Sequence, residues 1–461
     1  MIIKSLLSFS IIGLAAWIAA PFCQAEPASN SGQTPPLPDH PVSMVDAVNL
    51  AVERNGTIVK ARKDLEASAG VVIQTKAILV PKVQVKSGYQ IQERSSVDNF
   101  VLPAPYTLNL PDQNWNAGIQ LVQSIYEGGR LSSALRTARL TKEQAVAQYQ
   151  TVLNDTLLTV RTAYYDVLLA EKQIAVEEAS VELLKRELRD ASARFNAGTV
   201  PSFNVLRAKV ELANEQPKLI KARNSFRVTR NNLANLMGFH LPADAREDVP
   251  LLLSGKLEAE PFEADLAALI REGLGHRPEL TSLRKVEQLR REDIVGAQSG
   301  LRPSVQIFGG YADRNSQFDS DISHDLPGWQ AGVQVSWNLF DGFLTQGKVA
   351  QARSLREKAA EDLDDQARRV ELEVRTAWSQ FVEAKEVLES QQKVVEEAEE
   401  SLRLATSRNQ AGSGTQLDVL SAQTALTQAR TTEVQATHDY ETAVAGVERA
   451  AGRVFTPKTK P

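Results

Sequence analysis

The chain is written twice, and this constrains its fold more than any other feature. Val160-Arg161-Thr162-Ala163-Tyr164 recurs as Val374-Arg375-Thr376-Ala377-Trp378, an offset of 214 positions. The same offset carries Tyr126-Glu127-Gly128 onto Phe340-Asp341-Gly342, Ala138-Arg139 onto Ala352-Arg353, Ala197-Gly198 onto Ala411-Gly412 and Val205-Leu206 onto Val419-Leu420. No insertion intervenes from 126 to 238, a register too long for a chance likeness between two Ala-rich stretches. Upstream the offset becomes 222: Asn55-Gly56-Thr57-Ile58 answers Arg277-Pro278-Glu279-Leu280, and Pro81 with Tyr89 answers Pro303 with Tyr311. The difference of 8 therefore falls between Tyr89 and Tyr126. A repeat of this kind is one supersecondary unit used more than once.

Within each half the periodicity changes in a fixed order. Residues 44–79 and 265–300 carry Ala, Leu and Val at helical spacing, with Asp46 and Glu263 to Asp265 at first turns. The period then drops to two. Val83, Val85, Tyr89 and Ile91 alternate with Gln84, Lys86, Gln90 and Gln92, and Trp115, Ala117, Ile119 and Leu121 with Asn116, Gly118 and Gln120. In the second half Val305, Ile307 and Tyr311 mark one strand, and Trp329, Ala331, Val333, Val335, Trp337 and Leu339 another. Leu131 to Phe195 then contains no Pro or Gly, and Leu344 to Asn409 only Gly347. At ~1.5 Å per residue each makes a helix roughly 100 Å long, far beyond the ordinary few turns. Short Gly-containing breaks, Asn196 to Ser202 and Gln410 to Gln416, precede return helices.

The expected organisation is a signal peptide over 1–25, an extended segment over 26–43 and a first repeat over 44–238, with helix 44–79, strands within 82–126, long helix 130–195 and return helix 203–237. A Pro- and acid-rich linker over 239–264 leads to a second repeat over 265–452, with helix 265–300, strands within 303–340, long helix 343–409 and return helix 417–451, then a tail over 453–461. Lys4, the apolar run Leu6 to Ala20 and the small residues at Cys23 and Ala25 have the layout of an export signal. Pro21 argues against a membrane anchor there, and Phe22 directly before Cys23 against lipidation of that cysteine. One Cys excludes a disulfide scaffold, and a net charge of −5 leaves no electrostatic footprint for nucleic acid. After Ala25 no run approaches the ~18 apolar residues of a spanning helix.

Each chain thus supplies four amphipathic strands in two hairpins. Strands of ~9–11 residues suffice to cross a bilayer, but lipid tolerates no unpaired backbone, so only a closed barrel crosses. Four strands cannot close. Two chains would give eight strands around a filled interior, and three would give twelve around an aqueous lumen. Gln, Asn, Ser and Gly faces suit that lumen, and Trp115, Trp329 and Trp337 suit lipid or its interface. The soluble alternative for the same strands is a small sheet with one wet face. The long helices, with narrow apolar stripes amid charge, favour side-by-side packing into a tube.

The order helix, strand hairpin, long helix, turn and return helix, used twice, resembles that of TolC-type outer-membrane efflux proteins, the outer membrane factors. The segment Gln410-Ala411-Gly412-Ser413-Gly414-Thr415-Gln416-Leu417-Asp418-Val419-Leu420-Ser421-Ala422-Gln423 is similar to that family's turn and Asp-Val-Leu helix start. The resemblance implies a mainly α fold with a membrane β-barrel: a homotrimer whose twelve strands form the barrel in outer-membrane lipid and whose helices continue as a periplasmic tunnel. It further implies a passive exit duct of a tripartite efflux or type I secretion system, fed by an inner-membrane pump of RND or ABC type through a periplasmic adaptor (membrane fusion) protein.

On this reading the helical turns form the periplasmic mouth, with Asp418, Ser421 and Asn204 at the constriction. Three copies of Asp418 would favour cations and oppose one another's ionisation; the plainer role is a first-turn Asp favoured by the helix dipole. Where relatives often carry a second acidic residue this chain has Ser421, the first-repeat counterpart of Asp418 is Asn204, and Gly414 stands at a position basic in some relatives. These departures argue against a strongly latched acidic gate. The turns Ala197, Gly198, Thr199, Val200 and Pro201, and Ala411, Gly412, Ser413, Gly414 and Thr415, are the expected adaptor contacts, although Gly and Pro occur in simple loops anyway.

Other signals are weaker. Asp319, Asp321, His324 and Asp325 read as a solvated acidic loop rather than a cation site, and His40, His240, His276, His324 and His438 lack ligand spacing. No catalytic constellation, metal site or cofactor is expected, and the chain reads as no enzyme. The rival reading is a soluble periplasmic coiled-coil scaffold or adaptor without a barrel, which would partition into the aqueous fraction rather than require detergent.

Overall fold

The computed structural model describes residues 40–93, 111–239, 249–316 and 323–453. The expected signal peptide with Cys23, most of the extended N-terminal segment, His240, Asp319 and Asp321 lie outside the described residues. The elements are α1 (Met44–Arg54), α2 (Gly56–Lys76), β1 (Lys82–Ile91), β2 (Gln113–Glu127), α3 (Arg130–Asn196), α4 (Ser202–Leu236), α5 (Leu266–His276), α6 (Pro278–Gln298), β3 (Ser304–Arg314), β4 (Gly328–Ser336), α7 (Leu344–Gln410) and α8 (Gln416–Ala450). The duplication holds residue for residue: α3 and α7 each span 67 residues, and α4 and α8 each span 35.

The first helix expected in each repeat is in fact two. Asn55 (φ −58°, ψ 125°) separates α1 from α2, and Arg277 (φ −63°, ψ 127°) separates α5 from α6. Asn55 Oδ1 accepts from the amides of Thr57 and Ile58 at 2.8 and 3.4 Å, and Nδ2 donates to the Leu236 carbonyl at 2.7 Å. In the second repeat Pro278 occupies the first turn of α6; a proline disfavours helical geometry in the residue before it and suits a helix start itself. Short 3₁₀ turns, Ala77–Leu79 and Ser299–Leu301, complete these segments. The first turns are capped by Ser43 with Asp46, and by Asp265, which accepts from the Ala268 amide at 3.0 Å.

The strands form one antiparallel sheet in the order β1-β2-β3-β4, with β2 against β3 joining the two repeats. The register places Val85, Ile119, Tyr311 and Trp329 in one row, and Gln84, Gln120, Gly310 and Gln330 in the next. Side chains alternate across a strand, so one face is apolar and the other polar. β4 ends at Ser336, short of the alternation that continues to Leu339. Ser336 pairs with Ser304, the first residue of β3, so the ladder has no partner beyond it; Trp337 instead donates its indole N–H to the Leu301 carbonyl at 3.0 Å.

The long helices form two antiparallel hairpins, α3 with α4 and α7 with α8, and α3 also packs on α8 across the repeats. Two apolar cores sit where the paired short helices meet the long ones. One gathers Val160, Tyr164, Val167, Leu233, Met237 and Leu251; the other Leu269, Val374, Phe381, Tyr440 and Val447. The described part of the inter-repeat linker is a packed strap. Val42 N donates to Leu252 O at 2.8 Å, Ser254 N donates to Val42 O at 3.0 Å, and Leu251 and Leu257 are buried. The Tyr164 hydroxyl sits between, donating to Val42 O at 3.1 Å and accepting from Gly255 N at 3.0 Å.

Candidate functional site

The two hairpin tips are built alike. Ala197 and Gly198 close α3, with Gly198 at φ +73° and Thr199 N donating to Arg194 O at 2.9 Å. Ala411 and Gly412 close α7 the same way, with Gly412 at φ +76° and Ser413 N donating to Arg408 O at 2.9 Å. Only a residue without a Cβ takes this left-handed conformation at no cost. The starts of the return helices differ. α8 opens with a capping box: Thr415 Oγ1 accepts from Asp418 N at 3.2 Å and Asp418 Oδ2 accepts from Thr415 N at 2.9 Å. α4 opens on Pro201 with no side-chain cap.

Asp418 is therefore exposed and occupied locally. The hydrogen bond from the Thr415 backbone, then that from its side chain, holds its carboxyl below the usual range, with Arg408 adding a smaller attraction. Asp418 and Ser421 line a groove of about 820 Å³ between α7 and α8, together with Glu396, Glu397, Glu400 and Arg408. Asn204 is not there. It lines a second groove of about 740 Å³ between the two tips, where Thr199, Val200 and Pro201 face Gly412, Gly414 and Thr415. Of the turn residues, Ala197, Gly198, Thr199, Pro201, Ala411, Gly412, Ser413 and Thr415 are exposed and Val200 and Gly414 half-buried. Sequence reasoning missed the bond that joins the tips, Arg194 Nη1 to Asn409 Oδ1 at 3.1 Å. The two residues stand 215 positions apart, and no local pattern links them.

At the other end, the apolar face of the sheet presents Val83, Val85, Tyr89, Ile91, Ile119 and Leu121 on the first hairpin, all exposed. Tyr311, Trp329, Val333 and Val335 continue it, with Trp329 80% exposed. A contiguous apolar face of this kind marks contact with a partner or with lipid. No helix among the described residues is long and apolar enough to cross a membrane, and among them no group of three or more His, Cys, Asp or Glu side chains could hold a metal ion.

A family model described as outer membrane efflux protein matches residues 47–239 and 269–453, that is, both repeats. The chain belongs to the outer membrane efflux protein family. Among curated relatives, the cobalt-zinc-cadmium resistance protein CzcC of Cupriavidus metallidurans is 25% identical over 96% of this chain and 99% of its own length. The outer membrane protein TolC of Vibrio cholerae is 24% identical over 89% of this chain and 90% of its own. Among solved structures, the outer membrane protein VceC of Vibrio cholerae superposes with a TM-score of 0.73 at 18% identity, covering 90% of this chain and 97% of that one. Efflux family membership decides between the two readings of the strands: the sheet is a piece of outer-membrane barrel, and the protein is an outer-membrane channel, the exit duct for exported substrates. It is a family of channels rather than enzymes.

Proposed function

We propose that this efflux channel works as a homotrimer, with a twelve-stranded barrel in the outer membrane and a helical tunnel in the periplasm, and that its tips receive a periplasmic adaptor (membrane fusion) protein coupled to an inner-membrane RND or ABC pump. The observation that carries the assembly is the pair of free sheet edges. Among the described residues β1 and β4 each pair on one side only, and they run in opposite directions. β1 of one copy beside β4 of the next continues the antiparallel order, and three copies close a barrel wide enough for a lumen. The helices make a matching demand. Phe203, Leu206, Val210, Ile220 and Val228 lie exposed on α4 of the single chain, a stripe suited to burial against a neighbouring copy. The test is the mass of the detergent-extracted protein together with its conductance: three chains per particle and discrete steps in planar bilayers are expected, whereas a folded monomer in plain buffer would refute the reading.

Asp418, Ser421 and Asn204 form the periplasmic constriction in this reading. Removing the Asp418 charge raises single-channel conductance, as Asp418→Ala would show. Asp418→Asn should act alike while keeping an acceptor for Thr415 N. Unchanged conductance and ion selectivity in both variants would remove Asp418 from the constriction. The turns 197–201 and 411–415 dock the adaptor, supported by their exposure. Photocrosslinkers placed at Thr199 and Ser413 are expected to capture it in an assembled pump; their silence there would count against docking at these turns.

A further inference from the structure

The sheet register sorts the charged strand residues by face. Opposite the lipid-suited side chains stand Lys82 at the periplasmic end of β1, Lys86 one stretch farther along it, and Arg314 at the outer end of β3. Arg314 pairs with Asn116, and Asn116 with Gly88, so Arg314 lies beyond Lys86 in the same ladder. Lys86 extends across the polar face towards Gln120, Nζ to Oε1 3.5 Å. Both lysines and Arg314 are exposed.

Carboxylates are nearly absent from that face. Among the described strand residues it holds only Glu127, at the last pair of β2 with β3, which is buried and bonded to Arg130. Asp313 pairs with Ala117 and so belongs to the other face. The rest of the polar face is chiefly Gln, Asn, Ser and Gly, neutral at every pH the channel meets. The positive charge comes mostly from the first repeat: the second-repeat counterparts of Lys82 and Lys86 are Ser304 and Phe308.

At ~3.3 Å per residue, roughly 13 Å of strand separates Lys82 from Lys86 and roughly 7 Å separates Lys86 from the level of Arg314. These spacings are comparable to the ~10 Å screening length at 0.1 M salt, so the potentials of successive levels overlap. Around a threefold axis each residue becomes a ring, and low-dielectric walls focus the field of such rings into the lumen.

We infer that Lys82, Lys86 and Arg314 make the barrel lumen an anion-favouring section of this channel and set its charge selectivity, opposite in sign to the acidic groove of Glu396, Glu397, Glu400 and Asp418 at the helical tips. The inference rests on the trimeric-barrel reading above. It assigns to the barrel, not only to the periplasmic mouth, a part in discriminating what leaves.

The test uses the full channel in planar bilayers of neutral phosphatidylcholine under a KCl gradient centred near ~0.1 M. The Cl⁻ to K⁺ permeability ratio is read from the zero-current potential. In the K82Q/K86Q/R314Q variant the ratio should fall about threefold or more while conductance steps persist. That difference should shrink near ~1 M salt, where screening acts within ~3 Å. A triple variant that conducts with the native ratio overturns the inference. Where the triple variant fails to insert, Lys86→Gln and Lys86→Glu serve instead: a graded fall of the ratio supports the assignment and equal ratios refute it. Native protein that inserts but shows no conductance steps overturns the barrel reading itself, and the inference falls with it.

Discussion

The two repeats share a backbone and differ in how they fasten it. At the joint between the short helices, the first repeat uses the neutral Asn55, which caps α2 and holds the Leu236 carbonyl at 2.7 Å. The second repeat puts Arg277 in the same place, 2% exposed, with Nη2 donating to Glu279 Oε1 at 2.8 Å and Nη1 to Glu373 Oε2 at 2.5 Å. Arg449 joins this group, donating to Glu373 at 2.9 Å and to Asp155 of the first repeat at 2.6 Å. The contrast continues toward the tips. Thr415 caps α8, whereas α4 starts at Pro201 without a side-chain cap and carries Pro217 in its interior, where α8 has Thr431. Equal lengths came with the duplication; charge pairing and capping did not, and the two halves are not interchangeable.

The joints should break this comparison most visibly. Arg277→Leu removes the buried one of two cations that Glu279 and Glu373 share and is expected to cost about 3 kcal/mol, the lower end for a broken buried pair because Arg449 still bonds both. Asn55→Ala should cost about 1–2 kcal/mol through the lost cap and the bond to Leu236. Equal losses in thermal unfolding of the detergent-solubilised protein would erase the distinction. Next comes the helix interior. Pro217→Thr copies the second repeat into α4 and should gain about 2 kcal/mol by restoring a helix donor, and Thr431→Pro in α8 should cost at least as much. Hydrogen exchange across the two helices reads both, and matched protection would contradict the difference. Thr415→Ala should loosen the start of α8 by about 1 kcal/mol, while Pro201→Ala changes α4 by less than ~0.5 kcal/mol.

The smallest effect concerns pH. His438 bridges the repeats, with Nε2 2.8 Å from Asp166 Oδ1 and Nδ1 3.0 Å from Asp439 Oδ1. Burial by itself pushes its pKa down, but the hydrogen bonds and charges of the two carboxylates outweigh it and hold the pKa above 6.5. The first repeat has Asn224 at the matching position. A raised folded pKa adds stability that is complete below the unfolded value of ~6.5 and is lost as pH rises through the folded one. His438→Gln should therefore flatten the decline of melting temperature on the alkaline side of that value. An unchanged slope would show that the bridge contributes nothing.

What could be read from the sequence was local or periodic. The long helices, their Gly-marked ends and the two-faced strands follow from spacing alone, and the Thr415-Gln416-Leu417-Asp418 run already spells a capping box. The split at Arg277 also left a trace, since Pro278 follows it, but one extended residue barely disturbs an Ala- and Leu-rich helical period. The end of β4 left none: Trp337 and Leu339 keep the alternation, and only the start of β3 at Ser304 decides where the ladder stops. The groove that Asp418 shares with Glu400, the separate groove of Asn204, and the Arg194–Asn409 and His438–Asp166 bonds depend on partners far apart in the chain. The alternation of Lys82 and Lys86 was visible, but the scarcity of carboxylates among the described strand residues of their face emerged only with the pairing of all four strands.

The described residues of each chain hold an even number of strands, so the two outermost of these point opposite ways. In the proposed ring, copies would meet around a circle without any parallel seam, and every junction between them would be the same junction. A ring lacking one member has two bare edges, which lipid rejects. For the proposed ring, insertion would then be tied to completion, sparing the cell the leak that half-built pores would open in its outer wall.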